Sequence, residues 1–402
     1  MNLKTVMFLG VFGATGISLM GSIGDIRITS IGWSIPLLIS VFSILHISRG
    51  IPKSLIIYWL PWVGLIVIAA SMSEHENALL RAIILITPVV VAWAASQMSW
   101  NYVDILRYNQ WAKTLMLIGV LVILFKVHIR EEGFYERSIA AAESITAVFL
   151  AWLFYHQFVF FRSRQALLFW VIAISIPLAS VTRMAAAAAV LSVMMSFAPI
   201  GRLRRLGWSL LGLSIFGIVA LTPDFAEKMI GEGSSYGELW ESFDVLQTSG
   251  RMVAWSALID GIPEALLLGH GSNSTQTILQ SSYDAFGHPH NDWLRILYEY
   301  GIVGTLIFLY AVVMQVTRLL RIGSNAVSVE LKYASYLAAS LFAPLLLLMV
   351  TDNVILYSAF FGNMHFLLIG IALSLSRSEA QNAAFQLNLT SSRASAAIGR
   401  IV

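Results

Sequence analysis

An all-α integral membrane protein is the fold class that this sequence of 402 residues predicts, and three observations predict it. Hydrophobic residues make up 58% of the chain and charged residues 12%, against roughly 45–50% and about 25% in soluble globular proteins. The apolar residues gather into blocks of about 17–25, the length an α-helix needs to cross hydrocarbon roughly 30 Å thick. A mean hydropathy of +0.77 agrees. Lys and Arg collect in alternate connectors between the blocks, the charge asymmetry of a chain that crosses a bilayer repeatedly. A soluble multidomain enzyme is excluded. The net charge of +3 and sequence pI near 9.1 are a topology signal and not a nucleic-acid surface, because no basic cluster is interleaved with aromatics outside the short connectors. The chain has no cysteine, which excludes disulfides, thiolate catalysis and cysteine-zinc sites.

Taken in order, the apolar runs predict about twelve spanning helices. They cover 5–22, 29–46, 54–72, 79–97, 110–128, 142–161, 166–182, 184–200, 206–222, 293–317, 333–350 and 355–376. The first run is followed by Gly21-Ser22-Ile23-Gly24-Asp25 and then by many more spans, so it reads as a retained span and not as a cleaved signal peptide. The connectors RGIPK (49–53), FRSR (161–164) and GRLRR (201–205) hold clustered cations. With the N-terminus in the cytoplasm all three lie inside, as the positive-inside rule requires. Arg183 separates the seventh and eighth runs without a real loop.

The short-loop pattern breaks once. The layout divides into N-terminal spans over 1–222, a large outer loop over 223–291, C-terminal spans over 292–376 and a polar, poorly ordered cytoplasmic tail over 377–402. Loops this long are usually lids or binding loops. This one carries Asp224, Glu227, Glu232, Glu238, Glu241 and Asp244, a GEGSSYGE run whose Gly231, Gly233 and Gly237 suit a hinge, and a helical stretch RMVAWSALIDGIPEAL. Its Trp240, Trp255 and Tyr283 suit a surface near headgroups or sugar rings.

Candidate chemistry lies at the outer ends of the spans. An arginine at bilayer depth costs roughly 2.5–3.5 kcal/mol, so Arg183 reads either as a snorkelling helix end or as an anion clamp facing a polar cavity. Arg251 follows Thr248-Ser249-Gly250, hydroxyl caps before an amphipathic helix, and reads as an anion site or as an exposed loop residue. In FGHPHNDWLRILYEYGIVG (286–304) Asn291 or Asp292 caps a helix from Trp293, and Pro289 fixes the approach. His288 and His290 are thereby held at the outer mouth of a long span, where imidazole suits proton transfer near neutral pH. The alternative is that each histidine only bonds a loop carbonyl. Two histidines without a third ligand do not make a metal site. Arg295 and Glu299 are spaced to pair across one helical turn. Asp352-Asn353 falls on the same side, to line the same cavity or to make a turn.

These residues carry a recognisable order: S-x-T-R (Ser180 to Arg183), S-G-R-x-x-x-W (Ser249 to Trp255) with Leu268-Gly269-His270-Gly271 after it, and P-H-N-x-x-L-x-x-x-x-E-x-G-x-x-G (Pro289 to Gly304). In them the sequence resembles the O-antigen ligase and polymerase superfamily of bacterial envelope glycosyltransferases, which includes exopolysaccharide polymerisation proteins. The resemblance implies a GT-C-like membrane glycosyltransferase of the bacterial inner membrane, acting on the periplasmic face without metal or cofactor. It implies a polyprenyl-pyrophosphate-linked oligosaccharide as donor, and a second glycan (polymerase) or lipid A-core (ligase) as acceptor. Membrane lipids are its surroundings, and no nucleic acid is a partner. Carried onto matching positions, it implies that Arg183 and Arg251 hold the pyrophosphate and that His290 positions or deprotonates the acceptor hydroxyl. Asp292 stands where the family often has a small polar residue, to orient a histidine or only to cap. His288, Arg295 and Glu299 are secondary candidates, with His288 expected to be a bystander. A lipid-linked-sugar flippase is the competing class. It would spread ionisable sites along mid-membrane helices, whereas here they gather at outer ends.

Overall fold

The computed structural model describes residues 2–23, 26–47, 50, 52–129, 137–180, 182–223, 251–282 and 288–398. Helix α1 (Leu3–Ser18) is capped by the Asn2 side chain, which accepts from the Lys4 N–H at 3.1 Å, and contains a π-turn at Leu9–Gly13. A two-residue antiparallel hairpin, Ser22–Ile23 with Ile26–Arg27, turns the chain into α2 (Ile31–His46). There follow α3 (Lys53–Ser71), α4 (Ala78–Gln97), α5 (Tyr102–Ile129), α6 (Arg137–Phe161), α7 (Arg164–Ala179), α8 (Arg183–Val190) and α9 (Arg202–Ala220). The second half holds α10 (Arg251–Gly261), α11 (Ser274–Ser282), α12 (Asp292–Asn325), α13 (Val329–Leu348) and α14 (Gly362–Ile398).

Eight of these, among the described residues, are long and apolar enough to cross a membrane: α2, α3, α4, α5, α6, α9, α12 and α13. Helices α1 and α7 are shorter apolar helices. The run at 184–200, expected to span, forms only the eight residues of α8, which at 1.5 Å per residue reach roughly 12 Å. Side chains divert the backbone beyond it. Ser192 Oγ accepts from Trp170 Nε1, Ser196 Oγ accepts from the Ala198 N–H, and the Phe197 N–H donates to Ser340 Oγ at 2.9 Å, so turns replace the helix before Pro199. The last span starts at Gly362 and not at 355, and the chain beyond 377, expected to be poorly ordered, continues as helix to Ile398. Its run of Ala, Gln, Glu and Leu has high helix propensity, which explains the difference.

Helix α14 packs along α4 through small residues; a Cβ on Gly370 would come within 2.4 Å of the Ala92 carbonyl oxygen. Helix α6 packs on α7 and α13, and α12 on α13 and α3. Phe161 meets Tyr333 and His156 meets Ser340, so α6 and α13 run antiparallel. The Phe342–Leu348 end of α13 packs on α8 and leads to Met349, whose carbonyl accepts from the Asp292 N–H at 2.8 Å. Ser144, in α6, hydrogen bonds Ser180 and Thr182. The start of α8 therefore lies at the same end of the bundle as the start of α12.

The expected long outer loop contains α10, extended by a single turn of 3-10 helix at Ile262–Ala265, and α11. Its acidic run, GEGSSYGE hinge, Trp240 and Tyr283 lie outside the described residues. The turn after α10 is joined to α12 by main chain. Gly301 has φ 64 and ψ −168, which breaks the helix. The His270 and Gly271 N–H groups donate to the Tyr298 and Glu299 carbonyls at 2.9 and 3.0 Å, and the Ile302 and Val303 N–H groups donate to the Leu266 and Leu267 carbonyls at 2.9 and 3.1 Å. The backbone groups that a helix would pair internally are satisfied by the incoming turn, as buried peptide groups require. Gly269 (φ 75) and Gly301 are where this approach is closest: a Cβ on Gly301 would sit 2.3 Å from the Leu267 oxygen.

Candidate functional site

Residues 251–255, 288–299 and 349–355 meet at the start of α12. Asn291 caps this helix, its side chain accepting from the Leu294 N–H at 3.0 Å, so the cap is Asn291 and the helix opens at Asp292. His290 is in the left-handed region at φ 48, a conformation uncommon outside glycine. Its side chain is 35% exposed, with Nδ1 3.6 Å from Asp352 Oδ1. Two side chains of α10 fix the surroundings. Trp255 Nε1 donates to the Pro289 carbonyl and Arg251 Nη1 to the Thr351 carbonyl, both at 2.7 Å. Four residues apart, they project from one face of α10. The R-x-x-x-W spacing thus clamps together the two segments that carry His290 and Asp352.

Asp292 is fully buried and points inward, away from the histidines. Its N–H donates to the Met349 carbonyl at 2.8 Å, and Oδ2 accepts from the Ile355 N–H at 2.7 Å. Oδ1 lies 2.9 Å from Arg295 Nη2, in ion-pair contact but off the hydrogen-bond direction. Arg295 is 2% exposed and makes its close ion pair with Asp292, while Glu299, which the spacing suggested, lies within its electrostatic reach. Glu299 accepts a short hydrogen bond from the Thr275 hydroxyl. The strap that carries Thr275 is tied to the α3–α4 connector: Ser73 Oγ donates to the Ser272 carbonyl at 2.8 Å and Asn273 Nδ2 to the Glu76 carbonyl at 2.6 Å.

His288 faces Arg81, in the first turn of α4, with Nε2 3.3 Å from Arg81 Nη2. A guanidinium only donates, so Nε2 accepts and the ring proton sits on Nδ1. Burial, then Arg81, Arg295 and His290, lower the His288 pKa to about 3. The unfolded chain, with a histidine pKa near 6.5, therefore takes up more protons than the folded one between these values, and stability falls as pH drops through that window. The melting temperature is expected to fall between pH 7 and pH 4, and His288→Gln to remove part of that slope. An unchanged slope in the variant refutes the assignment.

Arg183 is half-buried and opens α8. Helix α8 packs against the Phe342–Leu348 end of α13, whose next residue, Met349, receives the Asp292 N–H. That is the path in the fold from Arg183 to the His290 group. Two participants are not singled out as site residues by the sequence: Arg81, and Asp352, which stays open between cavity and turn. The signal for Arg81 was the one that singled out Arg183, an arginine inside an apolar run.

Residues 167–309 match the family model described as O-antigen ligase. Over these residues the chain is similar to the O-antigen ligase family. No curated protein matches the chain. Arg183, Arg251, His288, His290, Asp292, Arg295 and Glu299 all fall inside the matched residues. Arg81 and Asp352 lie outside the matched residues, in helix α4 and after α13.

Proposed function

We propose that this protein transfers an oligosaccharide from a polyprenyl pyrophosphate to a hydroxyl of a second glycan, extending a surface polysaccharide as a polymerase. The observation that carries the reading is His290: a partly exposed imidazole on a left-handed backbone, with a carboxylate at one nitrogen and Arg251 on the adjoining strand of chain. Asp352 favours a proton on Nδ1, which leaves the Nε2 lone pair for the acceptor. The acceptor hydroxyl gives its proton to Nε2 as its oxygen bonds to the anomeric carbon. The bond from that carbon to the diphosphate oxygen breaks, and the electron pair leaves on the diphosphate. Arg251 and Arg183 hold that group, and permanent positive charge placed where negative charge grows lowers the barrier. The counter-charge comes from arginine, so the reaction runs without a divalent metal.

The positive-inside pattern supports cytoplasmic termini and a periplasmic site in a bacterial inner membrane. A GT-C-like architecture is the arrangement proposed, with α1, α7 and α14 joining the eight long apolar helices and α8 too short to cross. Purified protein in detergent, given a synthetic polyprenyl-pyrophosphate oligosaccharide and an acceptor glycan, is expected to release polyprenyl pyrophosphate in the presence of EDTA. Loss of release on chelation refutes the metal-free mechanism, and no release under any condition refutes the transferase. The glycan profile of a deletion strain separates the acceptors: single-repeat chains mean a polymerase, and accumulated unattached polymer means a ligase that uses lipid A-core.

A further inference from the structure

The outer end of the bundle holds more cations than the proposed reaction uses, and two of the described ones are neutralised on the spot. Lys126 Nζ is 2.6 Å from Glu143 Oε1, and Arg295 is against Asp292. Arg81 differs. Its hydrogen-bond partners are the neutral Gln276 Oε1 at 3.1 Å and His288 Nε2 at 3.3 Å, both reached by Nη2. Its Nε is buried and meets no acceptor among the described residues. Glu299 lies within electrostatic reach of Arg81 but is bonded to Thr275.

We infer that Arg81 is a third phosphate-binding side chain, gripping the donor diphosphate from the flank of the His288-Pro289-His290 segment opposite Arg251. The inference rests on the transfer reaction proposed above. The placement follows from the contacts. Arg251 and Trp255 hold one side of the segment, through Thr351 and Pro289, while Arg81 stands against His288 on the other. A guanidinium keeps its charge at any physiological pH and offers a planar fork that matches phosphate oxygens. Its two neutral acceptors aim that fork without cancelling its charge. His288 thereby becomes a positioning residue: its unprotonated Nε2 holds Arg81, and a protonated imidazole there would push it away. Helix α4 supplies this contact from outside residues 167–309, so the site is completed by a part of the chain that the family match does not cover.

The test measures binding of inorganic pyrophosphate and of geranylgeranyl pyrophosphate to the purified full chain in detergent, with donor KM and kcat determined in parallel. Arg81→Ala and Arg81→Gln are expected to weaken both ligands by about tenfold or more, the loss typical of a charge-assisted contact. Donor KM should rise more than kcat falls, and Arg81→Lys should recover part of the binding. Where the alanine variant does not fold, judged by its melting temperature, Arg81→Lys and Gln276→Ala carry the same comparison at preserved charge: each is expected to weaken pyrophosphate binding. Pyrophosphate affinity within twofold of wild type in the folded variants overturns the inference, as does selective loss of acceptor-glycan binding. Wild-type protein that binds pyrophosphate through Arg81 but transfers no glycan sinks the transferase reading and leaves the phosphate contact standing.

Discussion

Replacing His290 with alanine is expected to lower the rate of glycan transfer by about 10²–10⁴-fold, the usual contribution of a positioned general base. The melting temperature should change little. The separation follows from the surroundings of the ring: among the described residues its ion-pair contact is Asp352 at 3.6 Å, and the side chain is 35% exposed, so no tightly packed contact is lost with it. His290→Asn makes the sharper control, because asparagine also tolerates the left-handed backbone found at φ 48 and can bond a hydroxyl without taking its proton. Donor binding should survive both changes, since the arginines remain. Asp352→Ala should give a smaller loss, because the proton on Nδ1 is no longer favoured. Transfer near the wild-type rate in His290→Ala, followed as polyprenyl pyrophosphate released, removes this residue from the chemistry.

Gly301→Ala is expected to damage the fold at the other end of the same short segment. At φ 64 and ψ −168 the backbone is in a region that is nearly glycine-only, and the strain of a side chain there is about 1–3 kcal/mol. The added methyl also falls 2.3 Å from the Leu267 oxygen, a backbone atom that moves only if the turn at 266–271 withdraws. Withdrawal breaks the four main-chain bonds that bind this turn to α12. Gly304→Ala is the comparison. Its Cβ would crowd the side chains of Tyr300 and Leu65, without a backbone obstacle and without a positive φ. Thermal unfolding in detergent should show a larger drop for Gly301→Ala than for Gly304→Ala, and the reverse order would refute the explanation.

The membrane class, most helix positions and the clustering of charge at one end of the spans are legible in the sequence because each rests on periodic or compositional signals that survive without knowledge of contacts. Run length separates α3 from α4, and a cap at Asn291 or Asp292 is written in His-Asn-Asp, the structure deciding for Asn291. The stop after Val190 is not readable, because it depends on Ser340, far away in sequence, accepting from the Phe197 N–H, and on Trp170 holding the Ser192 hydroxyl. The same holds for the site. His290 and the arginines carry chemistry in their residue types, whereas the roles of Asp292 and Asp352 are decided by direction. One carboxylate turns inward to Arg295 and the Ile355 N–H, and the other faces an imidazole. No spacing rule within 289–304 distinguishes these, since the deciding atoms come from residues 349–355.

The break at Gly301 divides α12 into two pieces with different masters. Residues 292–300 answer to the turn after α10 and to the 349–355 connector, through main-chain bonds. Residues 302–325 answer to the lipid and to α13. A helix that must tilt to match bilayer thickness would swing its outer end through several ångströms if it were continuous. Here a glycine separates the two pieces, so the turn that carries His290 is fixed by main-chain bonds to the 266–271 turn and the 349–355 connector and not by the inclination of residues 302–325.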